Sequence, residues 1–269
     1  MTRLLELAGL ARSTFYYQHK SLQVADKYEQ IKGQIRTLFN DHKGRYGYRR
    51  IAAGLRQLGQ QVNHKTVQRL MGTLGLKSLV RPKKYRSFKG EIGQAAPNVL
   101  QRRFKTGTAN QKCVTDVTEF NVAGEKLYLS PVLDLYNGEI VAYETSKRPA
   151  FELVNGMLKK AFTKLRSGDR PILHSDHGWQ YRMPAYQRQL QERQLVQSMS
   201  RKGNCLDNAA MESYFAVLKS EFFYLNKFDS IDALRDGLAD YIHYYNHDRI
   251  KLKLKGLSPV QYRTQALAT

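Results

Sequence analysis

Three acidic side chains occur where acidic side chains are costly. Asp116 interrupts the β-like run VTDVTEF, Asp176 follows the apolar stretch PILHS shortly before the chain's single tryptophan, and Glu212 lies in DNAAMESYFAVLKSE. A carboxylate within or at the end of an apolar strand is unfavourable unless it is paired, protonated or bound to a cation. In the third segment Met211, Tyr214, Phe215, Leu218 and Phe222 form an apolar helical face, with Asn208, Glu212 and Lys219 on an adjacent polar one. Carboxylates from three separate elements, meeting at one sheet edge, suit Mg²⁺, which takes oxygen ligands and keeps water positions for a substrate phosphate. Two such ions about 3.5 to 4 Å apart can activate an attacking oxygen and steady the leaving one at a phosphodiester. Each residue also has an ordinary alternative: a turn residue at Asp176, a surface helix residue at Glu212, the partner of a lysine at Asp116.

The charge distribution points to a polyanionic partner. The 269-residue chain carries a formal charge of +21, and residues 1–108 hold 22 basic and 5 acidic side chains against 22 and 18 in the remainder. A field so localised attracts nucleic acid and releases its counterions. An acidic membrane surface is the rival, but no segment has the uncharged apolar run that a span needs. The N-terminus resembles a signal peptide only faintly, its short apolar stretch being interrupted by Glu6, and a cytoplasmic location is expected. Cys113 and Cys205 are far apart and lack zinc-ligand spacing.

Positioning these groups requires ordered elements on either side of a basic tether. Residues 45–76 read as two short helices about a glycine-containing turn, a helix-turn-helix in which Asn63 caps the second helix and Lys65 and Arg69 face outward towards phosphates or bases. Arg49 and Arg50 of the first helix are further candidate DNA contacts, and LLELAGLARSTFYY suggests a second such module. A structural helical hairpin is the bland alternative. Residues 81–108 hold eight Lys or Arg against one Glu, with Gly and Pro breakers, and read as a linker. Three strands follow, the second and third joined across Asn137-Gly138, and then helix, strand, helix, strand and helix. That order predicts an α/β core with a mixed sheet of the RNase H-like kind. The expected divisions are 1–80, helical and DNA-binding; 81–108, linker; 109–225, catalytic core; and 226–269, a C-terminal helical extension opening its last helix with a Ser258/Gln261 capping box.

The spacing is more specific than the residue types. There are 59 residues between Asp116 and Asp176, 35 between Asp176 and Glu212, and Lys219 follows Glu212 by seven. This resembles the D, D-35-E pattern of the DDE transposase and retroviral integrase superfamily. The strings VTDVTEF, HSDHGWQY, MSRKGNCLDNAAMESYFAVLKSE, YYNHDR and LSPVQY resemble the OrfB transposases of the bacterial insertion-sequence-three family, over a stretch running from RYGYRRI to the C-terminus.

The resemblance implies an integrase catalytic core that cuts and joins DNA strands. It implies Asp116, Asp176 and Glu212 as ligands of two Mg²⁺ (or Mn²⁺) ions and Lys219 as a DNA contact. His174 and Asn208 become candidate supporting residues, and Arg249 either a DNA contact or a brace of the C-terminal helices. Implied partners are double-stranded DNA at insertion-sequence ends, target DNA, further copies in a synaptic complex and the product of an upstream reading frame, in the bacterial nucleoid. Cys113 stands where the family commonly has tryptophan. Two other readings keep the residues: an RNase H-like nuclease without strand transfer, and a DNA-binding regulator without catalysis.

Overall fold

The computed structural model describes residues 5, 7, 9, 11–23, 26–80, 96–166, 168–201 and 205–267, in two units spanning Met1–Ser78 and Leu79–Thr269. In the first unit the described helices are α1 (Arg12–Gln23), α2 (Glu29–Asp41), α3 (Tyr48–Gln57) and α4 (His64–Thr73). Apolar residues at helical spacing make α3 bury Ile51 and Leu55, and α4 bury Val67, Leu70 and Met71. Gly59, at φ +79°, supplies the left-handed residue that ends α3. Asn63 Oδ1 then accepts the Lys65 N–H at 2.8 Å and caps α4 as expected. The second module suggested near the N-terminus lies partly outside the described residues.

In the second unit the strands are β1 (Lys112–Thr115), β2 (Thr118–Val122), β3 (Glu125–Asp134), β4 (Ile140–Ser146), β5 (Ile172–Ser175) and β6 (Val196–Met199). The helices are α5 (Phe151–Phe162), α6 (Pro184–Glu192), α7 (Ala209–Glu221), α8 (Ile231–His247) and α9 (Pro259–Leu267). β1 and β2 are successive parts of one arm paired antiparallel to β3, and β4 lies antiparallel on the other side of β3. β5 runs parallel to β1, and β6 parallel to β5. The sheet is therefore mixed and carries a core on each face. Val154, Met157 and Leu158 of α5 and Leu190 of α6 pack with Val132, Leu173 and Met199. Met211, Tyr214 and Leu218 of α7 and Leu234, Leu238 and Tyr241 of α8 pack with Val114, Phe120, Leu127 and Leu129.

One sequence expectation needs amendment. Residues 81–95 of the expected linker lie outside the described residues, but from residue 96 the chain is docked on the core. The Val99 and Leu100 N–H groups both donate to Ser198 Oγ, at 3.0 and 3.1 Å, and Leu100 is buried. The burial of one leucine and the pairing beside β6 outweigh the breaker-rich local composition. Packing around Cys113 is close: Cys113, Val132, Leu158 and Leu173 line an apolar cavity of only about 20 Å³.

The C-terminal helices clasp the β3–β4 hairpin. Asn246 pairs with both backbone groups of Ile140, each at 2.9 Å, closing the first position of an open sheet edge. The capping box is reciprocal, Ser258 N–H to Gln261 Oε1 at 2.9 Å and Gln261 N–H to Ser258 Oγ at 3.3 Å. The α9 that it opens carries Arg263, which pairs with buried Asp134 and with Glu139. No helix among the described residues is long and apolar enough to cross a membrane.

Candidate active site

Strand register brings the first two carboxylates level. β1 and β5 are adjacent and parallel, with Lys112 beside Ile172 and Val114 beside His174. Two residues further along, Asp116 and Asp176 leave neighbouring strands whose axes lie about 4.8 Å apart. The break in the strand at Asp116 has a cause. The arm formed by β1 and β2 keeps one register against β3, with Cys113 opposite Asp134 and Thr118 opposite Leu129, so Asp116 stands opposite Pro131. Proline offers no N–H. The ladder lapses there, and the Val117 N–H donates to Asp116 Oδ1 at 2.7 Å.

Asp176 is held by the turn that follows it. The Gly178 N–H donates to its Oδ1 at 2.9 Å. A Cβ at Gly178 would stand 3.0 Å from that same oxygen and 2.7 Å from Gln180 Oε1, so the close approach requires glycine. Glu212 lies in the first turn of α7, four residues after Asn208 and on the same face. Asn208 precedes the helix but gives it no side-chain cap. Its Nδ2 instead approaches Asp116 Oδ2 and the Thr115 carbonyl, both at 3.4 Å, and its Oδ1 is buried with no hydrogen-bond partner among the described residues.

The electrostatics follow from this crowding. Burial pushes the Asp116 carboxyl well above the ordinary carboxylate range, the Asp176 charge adds to that, and the Glu212 charge contributes a further rise. Burial likewise raises Asp176, opposed by the Gly178 N–H and by His177. The Tyr181 phenol, buried beneath, is raised by burial and by both aspartates. No ion pair among the described residues involves Asp116 or Asp176. An oxygen-only, half-buried, like-charged donor set of Asp116, Asp176 and Glu212 fits a hard divalent cation. As the side chains stand, no group of three His, Cys, Asp or Glu among the described residues closes on a common point.

The supporting candidates divide. His174 is fully buried in β5, its Nδ1 2.8 Å from Ser198 Oγ and its Nε2 3.2 Å from Ser200 Oγ, so both ring nitrogens brace the chain at β6. Burial lowers its pKa from 6.5 to about 4, with Asp207 opposing. Between those values the unfolded chain takes up a proton that the folded imidazole refuses. Stability therefore falls as pH drops through the window, and the loss is complete below it. His174→Asn is expected to flatten that part of a thermal-midpoint-versus-pH curve; a variant curve that still descends there would count against the assignment.

Arg249, a candidate DNA contact, is corrected: it is buried and forms a forked pair with Glu221, so its guanidinium braces the C-terminal helices. Lys219 is half-buried, its ammonium 5.4 Å from the centre of the Phe120 ring, and burial lowers its pKa while Glu119 works the other way. In the first unit Lys65, Arg69 and Arg49 are exposed; Arg69 lies 5.5 Å over Tyr28, Arg49 donates to Tyr48 Oη at 3.2 Å, and Arg50 lies 5.3 Å over Tyr46.

Sequence reasoning missed one cluster. Asp207, of a residue type and position that suit a helix cap, is fully buried and gathers Arg201, Arg102 and Asn98. Arg201 and Asp207 both stand in the string SRKGNCLD, but nothing in it signals that Arg102, a hundred residues earlier, returns to the same carboxylate.

A mixed sheet ordered β4–β3–β1–β5–β6, helices on both faces and carboxylates level at the ends of its adjacent parallel strands define an RNase H-like catalytic core. Comparison with known proteins agrees: two families, each described as Integrase core domain, match residues 108–205 and 212–267 respectively, and the one described as HTH-like domain matches residues 27–84. The putative transposase InsK for insertion sequence element IS150 of Escherichia coli (strain K12) is 56% identical over 265 residues, covering 98% of this chain and 94% of its own. The transposase InsF for insertion sequence IS3A of the same organism is 31% identical over 274 residues, covering 100% of this chain and 94% of its own. Among solved structures, the HTLV-2 integrase catalytic core domain in complex with magnesium aligns at 14% identity with a TM-score of 0.48, covering 58% of this chain and 97% of its own. The chain belongs to the insertion-sequence transposases of the IS3 family, OrfB group, within the DDE transposase and integrase superfamily.

Proposed function

We propose that this chain cuts DNA at the ends of an insertion sequence and joins the freed strand to a target, with Asp116, Asp176 and Glu212 as the catalytic carboxylates. The observation that carries the reading is the level register of Asp116 and Asp176, both of whose carboxyl groups burial holds above their ordinary range, with the Asp176 charge adding to the rise at Asp116. Divalent cations, Mg²⁺ or Mn²⁺ and two per site, would be held by the three carboxylates and would supply activation of the attacking oxygen and stabilisation of the leaving one. The chain's own contribution is positioning. Gly178 and Val117 fix the two aspartates through their N–H groups, and Asn208 aims the start of α7 at Asp116. Phosphoryl transfer is catalysed chiefly by such placement and by charge stabilisation.

Lys65, Arg69, Arg49 and Arg50 are assigned to the DNA backbone or bases and Lys219 to DNA near the carboxylates. Arg249 is withdrawn from that set. Holding two DNA ends together calls for further copies of the chain, and an upstream-frame product is a candidate accessory. The test is incubation of the purified chain with duplex carrying the terminal repeats that flank its coding sequence, in Mg²⁺. A product in which an end strand is covalently joined to new DNA is expected. Cleavage without joining would leave a nuclease, and salt-sensitive binding without cleavage a regulator.

A further inference from the structure

Asp207 organises more positive charge than its own neutralisation needs. Its wholly buried carboxylate accepts from Arg201 N–H, Nε and Nη2, each at 2.9 Å, from Arg102 Nε at 2.8 Å and from Asn98 Nδ2 at 2.9 Å. One guanidinium would balance the charge. Two are present, and their side chains remain 56% (Arg201) and 42% (Arg102) exposed. Arg201 presents its Nε/Nη2 edge to the carboxylate as a fork, which fixes its plane. Its Nη1 has no partner among the described residues.

The cluster also borders the candidate active site on two sides. Arg201 follows Ser200, whose N–H donates to the Ser175 carbonyl at 2.9 Å and whose own carbonyl accepts from His177, the neighbour of Asp176. Asn208 follows Asp207 and approaches Asp116. Arg201 and Asp207 are thus each one residue removed from a contact with, or beside, a catalytic carboxylate. A site with several carboxylates repels a DNA strand until cations are bound, so a fixed cationic group at its rim is what a backbone phosphate needs in order to approach. We propose that Arg201, aligned by Asp207 and accompanied by Arg102, binds a backbone phosphate of the DNA strand next to the one that reacts. This rests on the transposase reading above, which supplies DNA as the substrate.

The test pairs the side chain with its phosphate. Terminal-repeat duplexes carrying a single neutral methylphosphonate at successive linkages around the cut are titrated with the full chain, without divalent metal, as wild type, Arg201→Gln and Arg201→Lys. Thermal midpoints are recorded for each protein. For wild type, one linkage beside the cut is expected to weaken binding about tenfold when neutralised, the scale of a charge-assisted hydrogen bond. In Arg201→Gln that linkage becomes indifferent, and Arg201→Lys, which keeps the charge but not the fork, falls between. Equal methylphosphonate effects in wild type and both variants would overturn the proposal and make the cluster a clasp only, with lowered thermal midpoints as its sole consequence. Failure of the transposase reading looks different: wild type then binds the duplex but neither cuts nor joins it, while the titration still decides the role of Arg201. A wild-type chain that binds no DNA at all overturns both.

Discussion

Asp176→Asn is expected to lower strand cleavage and joining by about 10³-fold or more, the equivalent of about 4 kcal/mol of lost charge stabilisation at the reacting phosphate. The substitution is nearly isosteric. The carboxamide oxygen can still accept from Gly178, so the turn before the tryptophan survives and the loss is one of charge. The same change should act on stability in the opposite direction. A carboxyl whose folded pKa is raised binds its proton more tightly in the folded state, so its ionised form costs stability, and that cost grows as pH rises from the unfolded value of 3.8 through the raised folded one. At neutral pH without metal, the Asn variant should therefore melt at or above the wild-type temperature, and the repulsion on Asp116 should relax with it. Added Mg²⁺ should raise the midpoint of the wild type and leave the variant's nearly unmoved, because a ligand that binds only the folded state stabilises it by mass action. Calorimetry with and without Mg²⁺ checks this independently of activity. A variant that keeps wild-type joining, or wild-type metal stabilisation, would remove Asp176 from the site.

The sequence made the carboxylates legible because the costs that mark them are local. An aspartate in an apolar strand is conspicuous in one dimension, and the parallel pairing of β1 with β5 only converts that anomaly into proximity. Asn63, the Ser258/Gln261 box and the Asn137-Gly138 turn were equally readable, since capping and turn chemistry act over three or four residues. What could not be read depends on contacts between distant segments. Asp207 and Asn208 both have the composition of helix caps, yet one is taken by arginines 6 and 105 residues away and the other turns to Asp116. The interruption at Asp116 was likewise visible as a residue type, but its cause, Pro131 across the sheet, appears only with the register of the hairpin.

Arg249→Ala is expected to destabilise the second unit by about 3 to 5 kcal/mol, the usual cost of leaving one member of a buried ion pair alone. Glu221 ends α7, and Arg249 lies just beyond the end of α8, its own N–H bonded to the Tyr244 carbonyl at 2.9 Å. The two side chains are 3% and 4% exposed and join through Nε–Oε2 and Nη2–Oε1 bonds, each of 2.7 Å. Tyr241 Oη donates to Glu221 Oε2 at 3.1 Å, and the guanidinium lies 5.4 Å from the Tyr245 ring centre. Burial alone would lower the arginine's pKa, but the bonds and charge of Glu221 outweigh it and drive the value upward, so the pair stays ionised across the working range. Alanine would strand a carboxylate in that apolar setting, at the far end of the helix that presents Glu212. A fall of about 10 °C in the thermal midpoint should follow for a unit of this size, with loss of activity as a consequence of unfolding. Joint replacement, Glu221→Leu with Arg249→Met, removes both charges and should recover most of the stability. If Arg249 served DNA instead, Arg249→Ala would weaken binding at an unchanged midpoint and the double variant would rescue nothing. A denaturant titration of the three proteins beside their DNA affinities separates these outcomes.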